Sequence, residues 1–315
     1  MNLPQVVCIV GPTATGKSDL AVFLARQFAG EVLSVDSMQL YRGFTIGTAK
    51  IQEDQQSDVP HHLIDVLPPA ASCSVAQYCE MAQPVLDSVL ARRHLPILAG
   101  GTGLYLNGLL GEIRYENMPD SSDARDRLTV IAQQQGENAV WEMLQEVDPE
   151  SAAAIHPHNV RRVIRALEVY EATGEKMSQV ALRARQISRY SACKIGLTYA
   201  DRALLYQRID ERVDKMLENG LLDEVQQLLD AGVSPQCQAM QGIGYKECLP
   251  VLFGEISVQQ AAEEIKLHSR RYAKRQLTWF RRDPAIHWFA VDTEPDLPTH
   301  AAQLVQSFLE EGENA

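Results

Sequence analysis

The chain begins with a continuous apolar, β-branched run, QVVCIV at 5–10. A run of that length without polar alternation predicts a strand covered on both faces. DLAVFLARQF (19–28) then places its apolar positions at helical intervals, and EVLSV (31–35) is a second buried-strand run. VAQYCEMAQPVLDSVLARR predicts a helix and PILAG (96–100) a third strand. Strands alternating with helices predict an α/β fold with a parallel sheet flanked by helices. Ligands bind such sheets at the carboxyl ends of the strands. The segments that follow the three strands, GPTATGKS (11–18), DSMQLY (36–41) and GGTGLY (100–105), are therefore expected to converge.

The pattern changes near residue 112. DARDRLTVIAQQQG closes on Gly136, NAVWEMLQEV stops before Asp148-Pro149, and VRRVIRALEVYEATG lies between Asn159 as a cap and Gly174. These predict a helical insertion domain over 112–189, set into an α/β core of 1–111 plus 190–315. The core resumes with a strand at KIGLTYA (194–200) and a helix capped by Asp201, followed by LLDEVQQLLDAG. Ser257 and Gln260 form a capping box opening a helix that runs to about Arg282, where Asp283-Pro284 stops it. AIHWFAV returns as a strand.

Composition narrows the class. Of 315 residues, 45% are hydrophobic and 22% charged, an ordinary globular balance. No apolar run approaches the roughly 18 residues of a membrane span. MNLPQVVCIVGPT leads straight into the first strand, so a cytoplasmic enzyme is expected, and a monomer is taken as the default state. The six cysteines are scattered without a C-x-x-C, which favours reduced thiols over zinc or disulfides. The net charge of −12 argues against a polyanionic partner, but its distribution argues for one. Seven Lys/Arg and no acid lie between Ile265 and Arg282, and Arg161, Arg162 and Arg165 form a second cluster. Local potential outweighs net charge in binding nucleic acid.

The chemistry starts at GPTATGKS, which fits the phosphate-loop pattern G-x-x-x-x-G-K-[ST] through Gly11, Gly16, Lys17 and Ser18. Its backbone N–H groups, with Thr13, Ala14 and Thr15 between the glycines, suit phosphate oxygens at a helix N-terminus, usually those of ATP or GTP. Lys17 would reach the terminal phosphate and Ser18 would ligate Mg²⁺. Asp36 ends a strand beside this loop, either as a magnesium carboxylate or as a general base, and Asp65 competes for the metal. Thr102 offers a hydroxyl at another strand end, and Arg212 lies on a helix one turn from Arg208. Phosphate-backbone binding or a solvated charged face both fit the stripe of Lys274, Arg275 and Arg281 with its interleaved aromatics. A phosphate loop alone also fits a small-molecule or nucleotide kinase, or an RNA-binding nucleotide switch. A kinase leaves the acid-free basic helix unexplained.

Taken in order, GPTATGKS, VDSMQLYRGFTIGTAK, PHHLIDVLPP, LAGGTGLYL, QGIGYKE and KRQLTWFRR resemble the tRNA dimethylallyltransferase (tRNA isopentenyltransferase) family, over residues 5 to about 290. The resemblance implies a phosphate-loop core that transfers a dimethylallyl group from dimethylallyl diphosphate to N6 of the adenine 3′ of the anticodon, releasing diphosphate. It implies Mg²⁺ as cofactor, Asp36 as general base, and Lys17 and Arg212 on the leaving diphosphate. It implies tRNA contacts at Asp36, Ser37, Met38 and Gln39, and at Thr102 on the target nucleotide. It also implies tRNA contacts at Arg125, Arg161, Arg162 and Arg165, at Gln241, Gly242, Ile243, Gly244, Tyr245 and Lys246, and along Lys274, Arg275, Gln276, Leu277, Thr278, Trp279, Phe280 and Arg281.

Overall fold

A computed structural model describes residues 3–52, 56, 58–115 and 122–314. The chain forms two compact units, one of residues 1–110 with 188–315, the other of residues 111–187.

In the first unit, β1 (Gln5–Val10), β2 (Gly30–Ser34), β3 (His61–His62), β4 (Leu95–Gly100), β5 (Ser191–Thr198) and β6 (Ile286–Ala290) form one sheet in the order β3-β2-β4-β1-β5-β6. Every pairing is parallel. Successive residues of β1 point to opposite faces. Val6, Cys8 and Val10 join Leu33, Leu98, Tyr78 and Leu86 on one side. Val7 and Ile9 join Leu20, Leu24, Ile97 and Ile195 on the other. Two-sided burial is why β1 lacks polar alternation, and each such side chain contributes about 1.5–3 kcal/mol.

Register places the site. Val10 pairs with Gly100 and with Gly196, and Ser34 with Ala99. Parallel strands in that register deliver their carboxyl ends to one edge, so the segments after β1, β2 and β4 emerge side by side. The approach is close: a Cβ on Gly100 would lie 2.1 Å from the Val35 carbonyl oxygen.

Helices cover the sheet: α1 (Lys17–Gln27), α2 (Val75–Ala91) and α3 (Gly103–Leu109). The second unit holds α4 (Ser122–Gln135), α5 (Glu137–Val147), α6 (Pro149–Ala154), α7 (Val160–Thr173) and α8 (Met177–Ala184). Back in the first unit are α9 (Arg202–Glu218), α10 (Leu221–Asp230), α11 (Tyr245–Leu252), α12 (Val258–Phe280) and α13 (Leu297–Asn314). The capping box of Ser257 and Gln260 opens α12, which ends at Phe280 with Arg281 as cap rather than at Arg282. Asp201 caps α9 through Ala203 N–H, whereas Asn159 makes no side-chain cap on α7.

The second unit has its own core, with Leu128, Val140, Leu144, Val163 and Leu167 fully or almost fully buried. Buried Asp148 caps α6 through Ser151 N–H and also accepts from the Ser178 amide and hydroxyl at 2.9 and 2.7 Å. Among the described residues its only extended pairing is an isolated bridge, Ile113 with Arg185. No helix among the described residues is long and apolar enough to cross a membrane.

Candidate active site

The loop at 11–18 is shaped by three left-handed or strained positions. Gly11 has φ 141°, and a Cβ there would lie 2.3 Å from the Leu197 carbonyl oxygen, so only glycine fits. Ala14 has φ 65° and Gly16 φ 78°. Gly16 precedes α1, and no side chain caps that helix, leaving its N-terminus suited to an anion. Ser18 is exposed there. Thr15 is buried, its hydroxyl donating to the Pro12 carbonyl at 2.9 Å. Lys17 donates to the same carbonyl at 2.6 Å.

Burial and the Arg212 guanidinium hold Lys17 down at about 8, with Asp36 pulling the other way. Burial also lowers Arg212, again opposed by Asp36. Two half-buried cations and one carboxylate thus share a field at the edge where the strands end. An excess of positive charge in partly desolvated surroundings favours a multivalent anion.

Asp36 Oδ1 accepts the Met38 N–H at 2.8 Å, a turn that aims the carboxylate. The next amide, Ser37 N–H, donates to Thr102 Oγ1 at 3.1 Å, and Thr102 N–H donates to Val35 O at 3.1 Å. Asp36 and Thr102 are thereby fixed on adjoining strand ends. Burial and the Asp36 charge push the Tyr272 hydroxyl up to about 12, while hydrogen bonding to Thr102 and Gln276 acts in the opposite direction. Tyr272 thus stays a neutral phenol beside the carboxylate. Gln39 accepts from the Ser34 hydroxyl at 2.8 Å.

The structure corrects several sequence expectations. Thr13 N–H, expected to serve a diphosphate, donates to Gln276 Oε1 at 3.1 Å and is thus already engaged within the protein. Gln276 and Phe280, expected on the RNA face, are only 5% and 3% exposed, because the helical stripe that carries them turns into the core. Trp279 packs on the start of α3, where a Cβ on Gly103 would lie 2.1 Å from its Nε1. Leu277 packs against the small core of Leu205, Ile209 and Ala273. Lys274, Arg275, Thr278 and Arg281 remain exposed, so the outward face of α12 is basic.

Tyr245 is fully buried, its hydroxyl donating to Glu224 at 2.6 Å. Its ring fills the space that a side chain at Gly47 would need. The rest of 241–246 meets the segment after β2, since a Cβ at Gly242 would lie 2.4 Å from Met38 Cε. Gln241 is exposed and donates to the Pro235 carbonyl at 2.9 Å. Ile243 and Lys246 are half-buried. Gly244, buried with φ 98°, donates its N–H to Glu247 at 2.7 Å and opens α11. Asp65 pairs with buried Lys50 at 2.6 Å, whereas Asp36 is the carboxylate whose charge acts on Lys17. Arg208 is exposed and pairs with Glu211 at 3.4 Å.

Two contributors escaped the sequence. Glu224 accepts the N–H groups of Thr45 and Ile46 at 3.1 and 2.8 Å, pinning the segment that follows Asp36. In the second unit, Glu168 is 1% exposed and holds both Arg125 (2.5 Å) and Arg165 (3.1 Å). Their guanidiniums remain about half exposed, and Arg161 and Arg162 beside them are exposed. A buried acid on a helix gives no periodic signal that separates it from an exposed one.

Comparison with known proteins places this geometry. The family model described as IPP transferase matches residues 39–283, and one described as isopentenyl transferase matches residues 4–61. The chain belongs to the IPP transferase family. It is 47% identical over 292 residues to a tRNA dimethylallyltransferase of Geobacillus thermodenitrificans, covering 93% of this chain and 92% of that one. It is 41% identical over 304 residues to that of Alkaliphilus oremlandii, covering 96% and 97%. Among solved structures, the full-length tRNA isopentenylpyrophosphate transferase of Bacillus halodurans matches with TM-score 0.74 and 43% identity, covering 98% of each chain. A eukaryotic dimethylallyltransferase acting on tRNA matches with TM-score 0.78 at 28% identity, covering 98% of this chain and 80% of that one. Like these members of the family, the chain is a prenyl-transferring enzyme.

Proposed function

We propose that this enzyme transfers the dimethylallyl group of dimethylallyl diphosphate to N6 of the adenine next to the anticodon on its 3′ side, releasing diphosphate. The observation that carries the reading is the convergence of Lys17, Arg212 and Asp36 on one sheet edge, with Thr102 fixed beside Asp36. The family membership of the chain supports it.

In the reaction the bond between the allylic carbon and the diphosphate oxygen breaks, and its electron pair leaves with the diphosphate. The N6–carbon bond forms and N6 loses a proton. Lys17, Arg212 and the N-terminus of α1 stabilise the charge that accumulates on the departing oxygens. The adenine amine is a weak nucleophile because its lone pair is delocalised into the ring. Asp36, held by Met38 N–H, accepts the proton as the new bond forms. The Thr102 hydroxyl, held against Ser37 N–H, orients the base. The target must leave its stack to reach these groups, at a cost of a few kcal/mol. The exposed cations of α12 and the arginines of the helical unit would supply phosphate contacts to hold the RNA while it does.

Magnesium suits the residues present: the exposed Ser18 hydroxyl at the start of α1 is a hard oxygen donor that would hold it. When bound it neutralises part of the diphosphate charge.

The test is incubation of undermodified tRNA with Mg²⁺ and dimethylallyl diphosphate, without ATP, followed by digestion and mass analysis of nucleosides. Isopentenyladenosine is the expected product. Phosphoryl transfer with ATP, and no modified nucleoside without it, would replace this reading by the kinase.

A further inference from the structure

We propose that Gln276 is a positioning residue for the diphosphate site, acting through the loop at 11–18 rather than by touching RNA. The inference rests on the reading that this loop holds the diphosphate of the allyl donor. Gln276 is 5% exposed; besides its hydrogen bond with Tyr272, its amide makes two bonds to backbone groups at two different strand ends. Its Oε1 accepts Thr13 N–H at 3.1 Å, and its Nε2 donates to Gly101 O at 3.1 Å. Thr13 N–H can only donate and Gly101 O can only accept, so the partners fix the amide's orientation without ambiguity.

The consequence is geometric. Thr13 immediately precedes Ala14, whose φ of 65° turns the chain into the anion-facing part of the loop. Thr13 N–H and the Pro12 carbonyl belong to one peptide plane, so holding that amide also sets the carbonyl that accepts from Thr15 and Lys17. A loop with this anchor is ordered before the diphosphate arrives, and preorganisation of this kind lowers the entropy cost of binding. The space at β4 is matched to the same amide: a Cβ on Gly101 would lie 2.1 Å from Gln276 Nε2. One turn of α12 therefore faces two ways. Lys274, Arg275 and Thr278 look outward, while Gln276 ties the helix to the ends of β1 and β4.

The test uses the full chain and three variants: Gln276→Met, which keeps volume and removes both bonds; Gly101→Ala, which pushes the amide off its acceptor; and Arg275→Ala on the outward face. Magnesium pyrophosphate binding is measured by calorimetry, anticodon stem-loop binding by fluorescence anisotropy, and transfer by steady-state kinetics. Gln276→Met and Gly101→Ala should each weaken pyrophosphate binding and raise KM for dimethylallyl diphosphate about ten-fold, consistent with one or two lost hydrogen bonds. Stem-loop affinity and kcat should stay within about three-fold. Arg275→Ala should do the reverse, weakening the RNA in a salt-dependent way with pyrophosphate unchanged. Unaltered pyrophosphate affinity in both inward variants, or a parallel fall in RNA affinity, overturns the proposal. If melting shows Gln276→Met to be unfolded, Gly101→Ala decides alone. If the wild type binds pyrophosphate but makes no isopentenyladenosine, the functional reading falls while the pyrophosphate comparison still judges Gln276.

Discussion

Lys17 donates its ammonium to the Pro12 carbonyl oxygen at 2.6 Å, inside the loop it serves. Burial and the neighbouring Arg212 charge hold its pKa at about 8, with Asp36 opposing them. A bound diphosphate stabilises the ammonium and raises that value. Binding therefore takes up a proton once the free lysine begins to lose its own. Affinity for magnesium pyrophosphate should be flat below about pH 7 and fall as pH rises through about 8, approaching ten-fold per unit. Calorimetry across that range, taken as the ratio of wild type to Lys17→Arg, separates the lysine from the titration of pyrophosphate. A constant ratio would remove Lys17 from the phosphate contact.

Asp36 acts at the nucleophile, so its loss should appear in turnover. Asp36→Asn keeps an oxygen for Met38 N–H and abolishes the base. We expect kcat to drop by about 10²–10⁴-fold with stem-loop binding within about two-fold. Single-turnover kinetics beside anisotropy reads both. A loss of binding that matches the loss of rate would make Asp36 structural.

Glu168 organises two arginines of the helical unit from a buried position. Glu168→Ala leaves Arg125 and Arg165 without this partner and should destabilise the protein by about 1–2 kcal/mol, discounted from a fully buried pair because the guanidiniums are half exposed. Stem-loop affinity should fall several-fold, since the charges survive but their placement does not. Denaturant titration and anisotropy check the two parts. Unchanged RNA binding would confine Glu168 to stability.

At the far end of β2, Glu31 is 2% exposed and accepts from Arg92, His62 and His94. Burial pushes its carboxyl up, but these hydrogen bonds outweigh it and hold the group at about 2. A carboxylate with a depressed folded value contributes stability above its unfolded value and loses it as pH falls toward the folded one. The wild type should therefore lose stability between about pH 4.5 and pH 2, and Glu31→Gln should be less stable at neutral pH with a flatter acid limb. Thermal melts from pH 7 to pH 3 measure it. Parallel curves for the two proteins would refute the assignment.

Strands β1, β2, β4, β5 and β6, the loop at 11–18 and the helical segment between the two halves of the core were legible because each rests on local pattern, whereas their order in the sheet rests on pairings far apart in the chain. QVVCIV has no polar alternation because both faces of β1 are covered, and Gly11 and Gly16 are the residues that backbone angles of 141° and 78° require. The short β3 was not legible, since two residues, His61 and His62, carry no periodicity. Nor were α3, α6, α8 and α11, which run six to eight residues and are held mainly by their surroundings.

For the site, the sequence by itself determined which chemistry is present: a phosphate loop, strand-end Asp36 and Thr102, and an acid-free basic helix. The direction each side chain faces was decided only by the tertiary structure. Helical spacing places Arg275 and Gln276 next to each other on α12, yet one is exposed and the other ties Thr13 to Gly101. The same spacing cannot tell that Asp65 is spent on Lys50 while the Asp36 charge acts on Lys17, or that Tyr245 is filled into the core over Gly47. Those outcomes depend on contacts between residues far apart in the chain. Periodicity reports which face a residue shares with its neighbours, whereas the packing of other elements decides whether that face meets water, core or ligand.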